Sequence, residues 1–300
     1  MSTNHSTEDS ITDSQEITNS PDFQQRSTTK IKSIFDKWEF KVDSIIPIYM
    51  GNIYDPSKFW VRIAPISVFE RYLTLFYERN KMSLCVKSSD VCIGLNCVLF
   101  KNGVYYRARI VRKDIQNQNK VKVFLLDYGS LNNALLSDIF HLDQSFYEIP
   151  AFAVRAMLTN ISSLDHGMWT ANVVDKFMEY VKNKILIAKI ARVHKQQKVI
   201  EIHLSDVDSD DGDGMPTINS CLVKDRLAKF ISKHPSGSQL QQIMKIGDRE
   251  CILLKELYYL YPSFETIENG LVPSTVELKE KLQQYVPLDV IYPDLYEHLF

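Results

Sequence analysis

One stretch of this 300-residue chain restricts its fold more than any other: Val98 to Ser130, VLFKNGVYYRARIVRKDIQNQNKVKVFLLDYGS. It reads as two strands joined by a polar loop, with a turn at Gly103 in front and Asp127-Tyr128-Gly129 behind. Phe100, Tyr105, Tyr106 and Tyr128 cluster at its two ends. Pairing of the strands would bring rings from both ends to one mouth of a small barrel. Aromatic faces hold cations, so such a mouth suits lysine, arginine or their methylated forms.

The rest of the chain fixes the setting of that segment. A formal charge of −2 argues against a protein that coats nucleic acid by general electrostatics. Five cysteines, an odd number without a C-x-x-C pair, argue against a zinc site or a disulfide framework and for reduced thiols. No signal pattern and no apolar run of membrane-spanning length is evident, so a soluble intracellular protein is expected.

Residues 1–33 are polar and carry little apolar surface to offset ordering entropy, which predicts a disordered leader. Strands are expected at Val42–Met50 and Lys58–Ala64, around a turn over 52–57, then a helix from Val68 to Lys81. The strand-rich centre covers about 91–142. Helices are predicted over Phe152–Ile161, Trp169–Lys182 and Ile218–Ile231, with a hairpin at Lys184–Val193 and Lys198–Leu204 between the last two. Neither flank of the centre has enough strands to close a sheet, so the two are expected to complete one another across it. Residues 234–300 predict a helical extension, with an apolar stripe at Ile252, Leu253, Leu254, Leu257, Tyr258, Leu260 and Tyr261. It either packs on the domain or serves as a further protein contact.

An ordered series of short motifs carries a family resemblance. Lys58-Phe59-Trp60-Val61, Val98-Leu99-Phe100, Gly103 before Tyr105-Tyr106-Arg107-Ala108-Arg109, and Val121-x-Val123 leading into Asp127-Tyr128-Gly129 resemble the extended Tudor domain, with Pro150, Ala153 and Trp169 fitting the same spacing. The resemblance covers about residues 40–232. It implies a mainly β fold with flanking helices, an α+β arrangement in which a Tudor SH3-like barrel (about 90–145) is inserted into a split, staphylococcal-nuclease-like OB domain. The halves of that domain would be about 40–89 and 146–233, within an extended domain of 34–233. The resemblance also implies a non-catalytic reader of arginine-rich, often symmetrically dimethylated peptides of Piwi-type Argonautes or other ribonucleoprotein components. A cytoplasmic setting, including ribonucleoprotein or germ granules, comes with it.

Carried over position by position, the family's aromatic cage falls on Phe100, Tyr106, Leu125 and Tyr128, and its asparagine on Ser130. Two of these five positions depart from the pattern. Leu125 keeps an apolar wall but lacks a ring face, worth roughly 0.5–2 kcal/mol to a cation. Phe124 cannot replace it, because adjacent strand residues point to opposite faces. Ser130 lacks the amide, and a lost charged hydrogen bond costs roughly 1.5–3 kcal/mol. A partly degenerate cage is the expectation, one that binds arginine whether or not it is methylated.

The remaining features read more plainly. Arg107, Arg109, Arg112, Lys113, Lys120 and Lys122 suggest a solvated strand face, with single-stranded RNA contact as the alternative. Asp127 is expected to brace its turn, and Tyr105 to pack against the flanking fold. The acidic loop Asp206–Gly214 fails the register of a calcium loop, with Thr217 where a bidentate Glu is needed. No residue set suits a metal, a cofactor or catalysis.

Overall fold

The computed structural model describes residues 30–114, 117, 119–164, 169–182, 184, 186–207, 216–231 and 262–271. Strand β1 (Ile45–Asp55) turns through Pro56 and Ser57 into β2 (Lys58–Arg62). The Asp55 carboxylate braces that turn, accepting from the Ser57 backbone N–H at 2.7 Å and the Ser57 hydroxyl at 2.6 Å. The turn is thus shorter than the 52–57 expected, because β1 continues through an irregular pairing between Met50 and Asp55. Helix α1 (Ser67–Asn80) follows, burying Leu73 and Tyr77.

The segment singled out in the sequence forms most of a five-stranded antiparallel sheet. Its members are β3 (Asn96–Lys101), β4 (Val104–Lys113), β5 (Lys120–Leu125), β6 (Ser130–Leu135) and β7 (Ile139–His141), in the order β6-β5-β4-β3-β7. One face encloses Leu95, Cys97, Leu99, Ala108, Ile110, Val123, Leu125 and Ile139. The other packs Val98, Tyr105, Phe124 and Phe140 against Trp60, Leu73, Tyr77 and Phe146. Tyr105 stacks on Tyr77 at 5.5 Å, in the interface expected for it.

Beyond this sheet come β8 (Val154–Leu158), β9 (Ile161–Ser162), α2 (Ala171–Val181), β10 (Leu186–His194) and β11 (Val199–Asp206). Then follow α3 (Ile218–Lys224), β12 (Lys229–Phe230) and α4 (Phe264–Glu268). Strands β1, β10, β11, β8 and β2 close into a barrel in that order. Two of its strands precede the inserted sheet and three follow it, so neither flank could close alone. Its core holds Phe59, Val61, Ala156, Ala188, Ile200 and Ile202, plugged by Phe177 of α2, whose ring meets Phe59 edge-on at 5.3 Å. Edge-to-face contacts of this kind add about 0.5–1.5 kcal/mol beyond simple burial.

The structure corrects several sequence expectations. Residues 152–161 are not helical: β8 alternates buried Val154, Ala156 and Leu158 with half-buried Arg155 and Met157. The barrel needs a strand between β2 and β11, and that demand outweighs the helical preference of Ala, Met and Leu. The helix predicted over 218–231 stops at Lys224; Arg226 takes a positive φ of 57°, and Lys229-Phe230 pairs with β9 instead. Residues 30–33 belong to the fold and not to a leader, with Ile31 buried and Ala151 donating its N–H to the Lys32 carbonyl at 2.8 Å. The disorder expected for 1–29, most of the acidic loop, and the apolar stripe at 252–261 lie outside the described residues. No helix among the described residues is long and apolar enough to cross a membrane.

The two units are joined by Arg107, which is 1% exposed. Its Nη1 donates to the carbonyls of Phe146 and Ile149 at 3.0 and 2.6 Å, and its Nη2 to that of Pro150 at 2.8 Å. Phe69 of α1 covers the guanidinium at 4.6 Å. The basic stretch is therefore no solvated face. Arg109 lies over Phe124 at 5.9 Å, and Arg112 donates to the Gly270 carbonyl at 3.2 Å.

Candidate functional site

The β3–β4 hairpin turns through Asn102 and Gly103, both at positive φ (51° and 80°), the geometry of a two-residue primed turn. That turn sets the register: Lys101 stands opposite Val104, Phe100 opposite Tyr105, and Leu99 opposite Tyr106. Directly paired residues share a face and neighbours alternate, so Phe100 and Tyr106 lie on opposite sides of the sheet. Phe100, 37% exposed, packs on Tyr105 at 4.7 Å. The structure therefore does not bring Phe100 to the other cage positions.

It does bring Tyr106 and Tyr128 together. After β5 the chain reverses through Leu126–Gly129, with the Gly129 N–H donating to the Leu125 carbonyl at 2.9 Å. Gly129 has a φ of 75°, and a Cβ there would fall 2.1 Å from Trp60 Cγ, so only glycine fits. This close approach to β2 fixes the turn, and the Tyr128 ring meets Tyr106 at 5.6 Å and 73°. Leu125 lies beneath them, 5% exposed and part of the sheet's enclosed core. Phe124 faces the opposite way, against Trp60 at 6.2 Å, and cannot stand in for the missing ring. Ser130 pairs with Leu125 and accepts from the Asn132 amide at 3.4 Å.

Three further residues complete the site, and sequence reasoning missed all of them. The Arg62 guanidinium lies over the Tyr128 ring, 4.7 Å from its centroid. Its Nε is buried without a hydrogen-bond partner among the described residues. Glu70, in the first turn of α1, accepts a short hydrogen bond from the Tyr128 hydroxyl. Asn132 donates to Ser130 and accepts from Lys101 Nζ. Asn132 could have been found, since it follows Ser130 by two residues and shares its face. Nothing local to the motif points to Arg62 or Glu70, which arrive from β2 and α1.

Burial, and then the hydrogen bond to Glu70, pushes the Tyr128 hydroxyl well above its ordinary value. Burial and the nearby Glu70 charge raise that of Tyr106 in the same direction. Both rings stay neutral near pH 7, and the carboxylate beside them favours a cation. The arrangement can hold a flat positive group against two rings, an apolar floor and a polar lip. Among the described residues no group of three or more His, Cys, Asp or Glu is placed to hold a metal ion.

A split five-stranded barrel carrying an inserted sheet with this aromatic mouth is the extended Tudor fold, and residues 40–160 match the family model of the Tudor domain. The chain carries an extended Tudor domain. Human Tudor domain-containing protein 6 is 28% identical over 170 residues, covering 54% of this chain and 8% of that protein. Tudor domain-containing protein 5 of Xenopus laevis is 23% identical over 198 residues, 63% of this chain and 20% of that one. The chain thus spans a small part of the length of these relatives. Among solved structures, the extended Tudor domain TD3 of mouse TDRD1, in complex with a MILI peptide containing dimethylarginine, superposes with a TM-score of 0.55 at 19% identity, covering 68% of this chain and all of that one. The Drosophila melanogaster Papi extended Tudor domain gives 0.56 at 19% identity, over 63% of this chain and 100% of its own.

Proposed function

We propose that this chain is a non-catalytic adaptor that binds an arginine-containing peptide at the Tyr106–Tyr128 mouth. One observation carries the reading: a guanidinium already rests on Tyr128, contributed by the chain's own Arg62 at 4.7 Å. The ring environment therefore accepts the chemistry of the ligand. An incoming arginine would lie against Tyr106 and Tyr128, over Leu125, with Ser130 and Asn132 offering polar contacts at the rim. Phe100, on the far side of the sheet, takes no part.

The partner is an arginine-bearing segment of a Piwi-type Argonaute or another ribonucleoprotein component. Solved relatives support this class: mouse TDRD1 with MILI, human TDRD1 with a symmetrically dimethylated peptide, and Papi with unmethylated and dimethylated Piwi N-terminal peptides. A cytoplasmic or ribonucleoprotein-granule setting follows from the same reading. With two rings where the family has four, methylation should contribute little. Each absent ring removes roughly 0.5–2 kcal/mol of cation attraction.

Titration calorimetry with one arginine peptide, unmodified and symmetrically dimethylated, tests the proposal. Binding of both forms within about fivefold of each other, a difference of roughly 1 kcal/mol, is expected. No heat from either form would refute it.

A further inference from the structure

The ten residues 262–271 are separated from Ile231 by thirty residues, yet they dock across both units of the domain. Ser263 caps α4, accepting from the Thr266 N–H at 3.1 Å. Phe264 inserts edge-on against Trp60, at 5.2 Å and 86°. Glu268 takes a two-pronged hydrogen bond from Arg155, with Nε to Oε1 at 2.8 Å and Nη2 to Oε2 at 2.7 Å, and accepts from Trp60 Nε1 at 3.2 Å. Glu265 takes the remaining guanidinium edge at 2.5 Å. Thr266 and Ile267 are buried, and Arg112 closes the far end on the Gly270 carbonyl.

The receptor side is equally specific. Trp60 supplies both a ring edge and a donor, Arg155 a planar fork, and Arg109 a third positive charge along a floor of Phe124 and Leu126. Two arginines and a tryptophan around a desolvated phenylalanine make the composition of a binding hot spot. Every anchor in the segment falls within Phe264-Glu265-x-x-Glu268, a spacing that puts the glutamates beside the ring on one short helical turn.

We infer that the Trp60–Arg155 groove is a second peptide-binding site, selective for an acidic-aromatic segment of the form Ser-Phe-Glu-x-x-Glu. Its resident ligand is the chain's own residues 263–268, and a partner protein bearing the same pattern binds by displacing them. Covalent attachment to one chain holds a segment at an effective concentration on the order of millimolar, so the site is filled in the isolated protein. The partner's signature is acidic and aromatic, the opposite of the arginine-bearing ligand proposed for the Tyr106–Tyr128 mouth. The two sites share β2: Trp60 faces the groove, while Arg62 lies on Tyr128.

The test uses the full chain and a fluorescent peptide of the sequence Pro-Ser-Phe-Glu-Thr-Ile-Glu-Asn-Gly-Leu. The double variant Phe264→Ala, Glu268→Ala opens the groove and leaves Tyr106, Tyr128 and arginine-peptide binding untouched. Fluorescence anisotropy should show micromolar binding to this variant, at least tenfold weaker binding to wild type, and loss of at least tenfold when Arg155→Ala is added. Absence of binding to an opened variant that still melts cooperatively would overturn the inference. Preferential capture of an oligonucleotide by that variant would do so too, by making the groove a phosphate site. A wild-type dimer that the double variant abolishes would assign the segment to a second copy and equally reject it. Should the double variant fail to fold, hydrogen exchange on wild type decides: excess peptide must deprotect 262–271, and unchanged protection refutes displacement.

Discussion

Asp127 grips Arg107 with both carboxylate oxygens, Oδ2 accepting from Nε at 3.0 Å and Oδ1 from Nη2 at 2.7 Å, with both side chains sealed from solvent. Oδ1 also accepts from the Phe152 N–H at 3.0 Å, so the pair spans the sheet and the returning chain. Removing one partner leaves a buried charge uncompensated, which typically costs about 3–5 kcal/mol. Asp127→Ala should therefore lower unfolding stability by about 3–5 kcal/mol, read from urea denaturation. A loss under about 1 kcal/mol, the scale of an exposed ion pair, would show that the guanidinium's three carbonyl contacts suffice.

The register of the β3–β4 hairpin separates two rings that look equivalent in sequence. Tyr128→Ala should weaken arginine-peptide binding by at least tenfold, about 1.4 kcal/mol. Phe100→Ala should change it by less than twofold, because its ring contacts Tyr105 on the other face. Comparable losses from both substitutions would mean that the ligand reaches around the sheet edge.

Arg62 competes for the ring that a ligand would use. Arg62→Ala should tighten binding of an arginine peptide by roughly 2- to 30-fold, the range that corresponds to 0.5–2 kcal/mol of cation–aromatic attraction. Arg62→Lys should fall between the two, and weaker binding by the alanine variant would recast Arg62 as a ligand contact.

Two histidines make the fold acid-sensitive. Burial holds the His141 imidazole below its ordinary 6.5, outweighing the upward pull of Asp90, while Lys87 adds to the depression. Burial and Lys189 lower that of His203 likewise. The folded state binds fewer protons than the unfolded chain near pH 6, so stability is present above 6.5 and lost as pH falls through it. Urea midpoints should drop between pH 7.5 and 5.5, by at most about 1.4 kcal/mol per pH unit for each group. Replacing both residues with glutamine should flatten the profile over that window.

Much of this was legible in local pattern. The Gly103 turn, the alternation in β3 to β5 and the Asp-Tyr-Gly reversal are short-range signals, and they located both rings that meet at the mouth. The helix misread at 152–161 shows where such signals fail: Ala156, Met157 and Leu158 favour a helix alone, and only closure against β2 and β11 makes them a strand. Arg107 was misread for a related reason. Its run of positive neighbours suggests solvent, whereas its five donor sites are satisfied only by carbonyls and a carboxylate 20 to 43 residues further along.

By its sequence alone the chain determined that an aromatic, Tudor-like sheet would be inserted into a split barrel, because turn chemistry and strand alternation act over a few residues. Tertiary structure decided which rings face one another, that Arg62 rests on Tyr128, and that residues 263–271 settle against Trp60 and Arg155. Those outcomes depend on register parity and on contacts between residues up to 208 positions apart, as for Trp60 and Glu268, which no local pattern encodes.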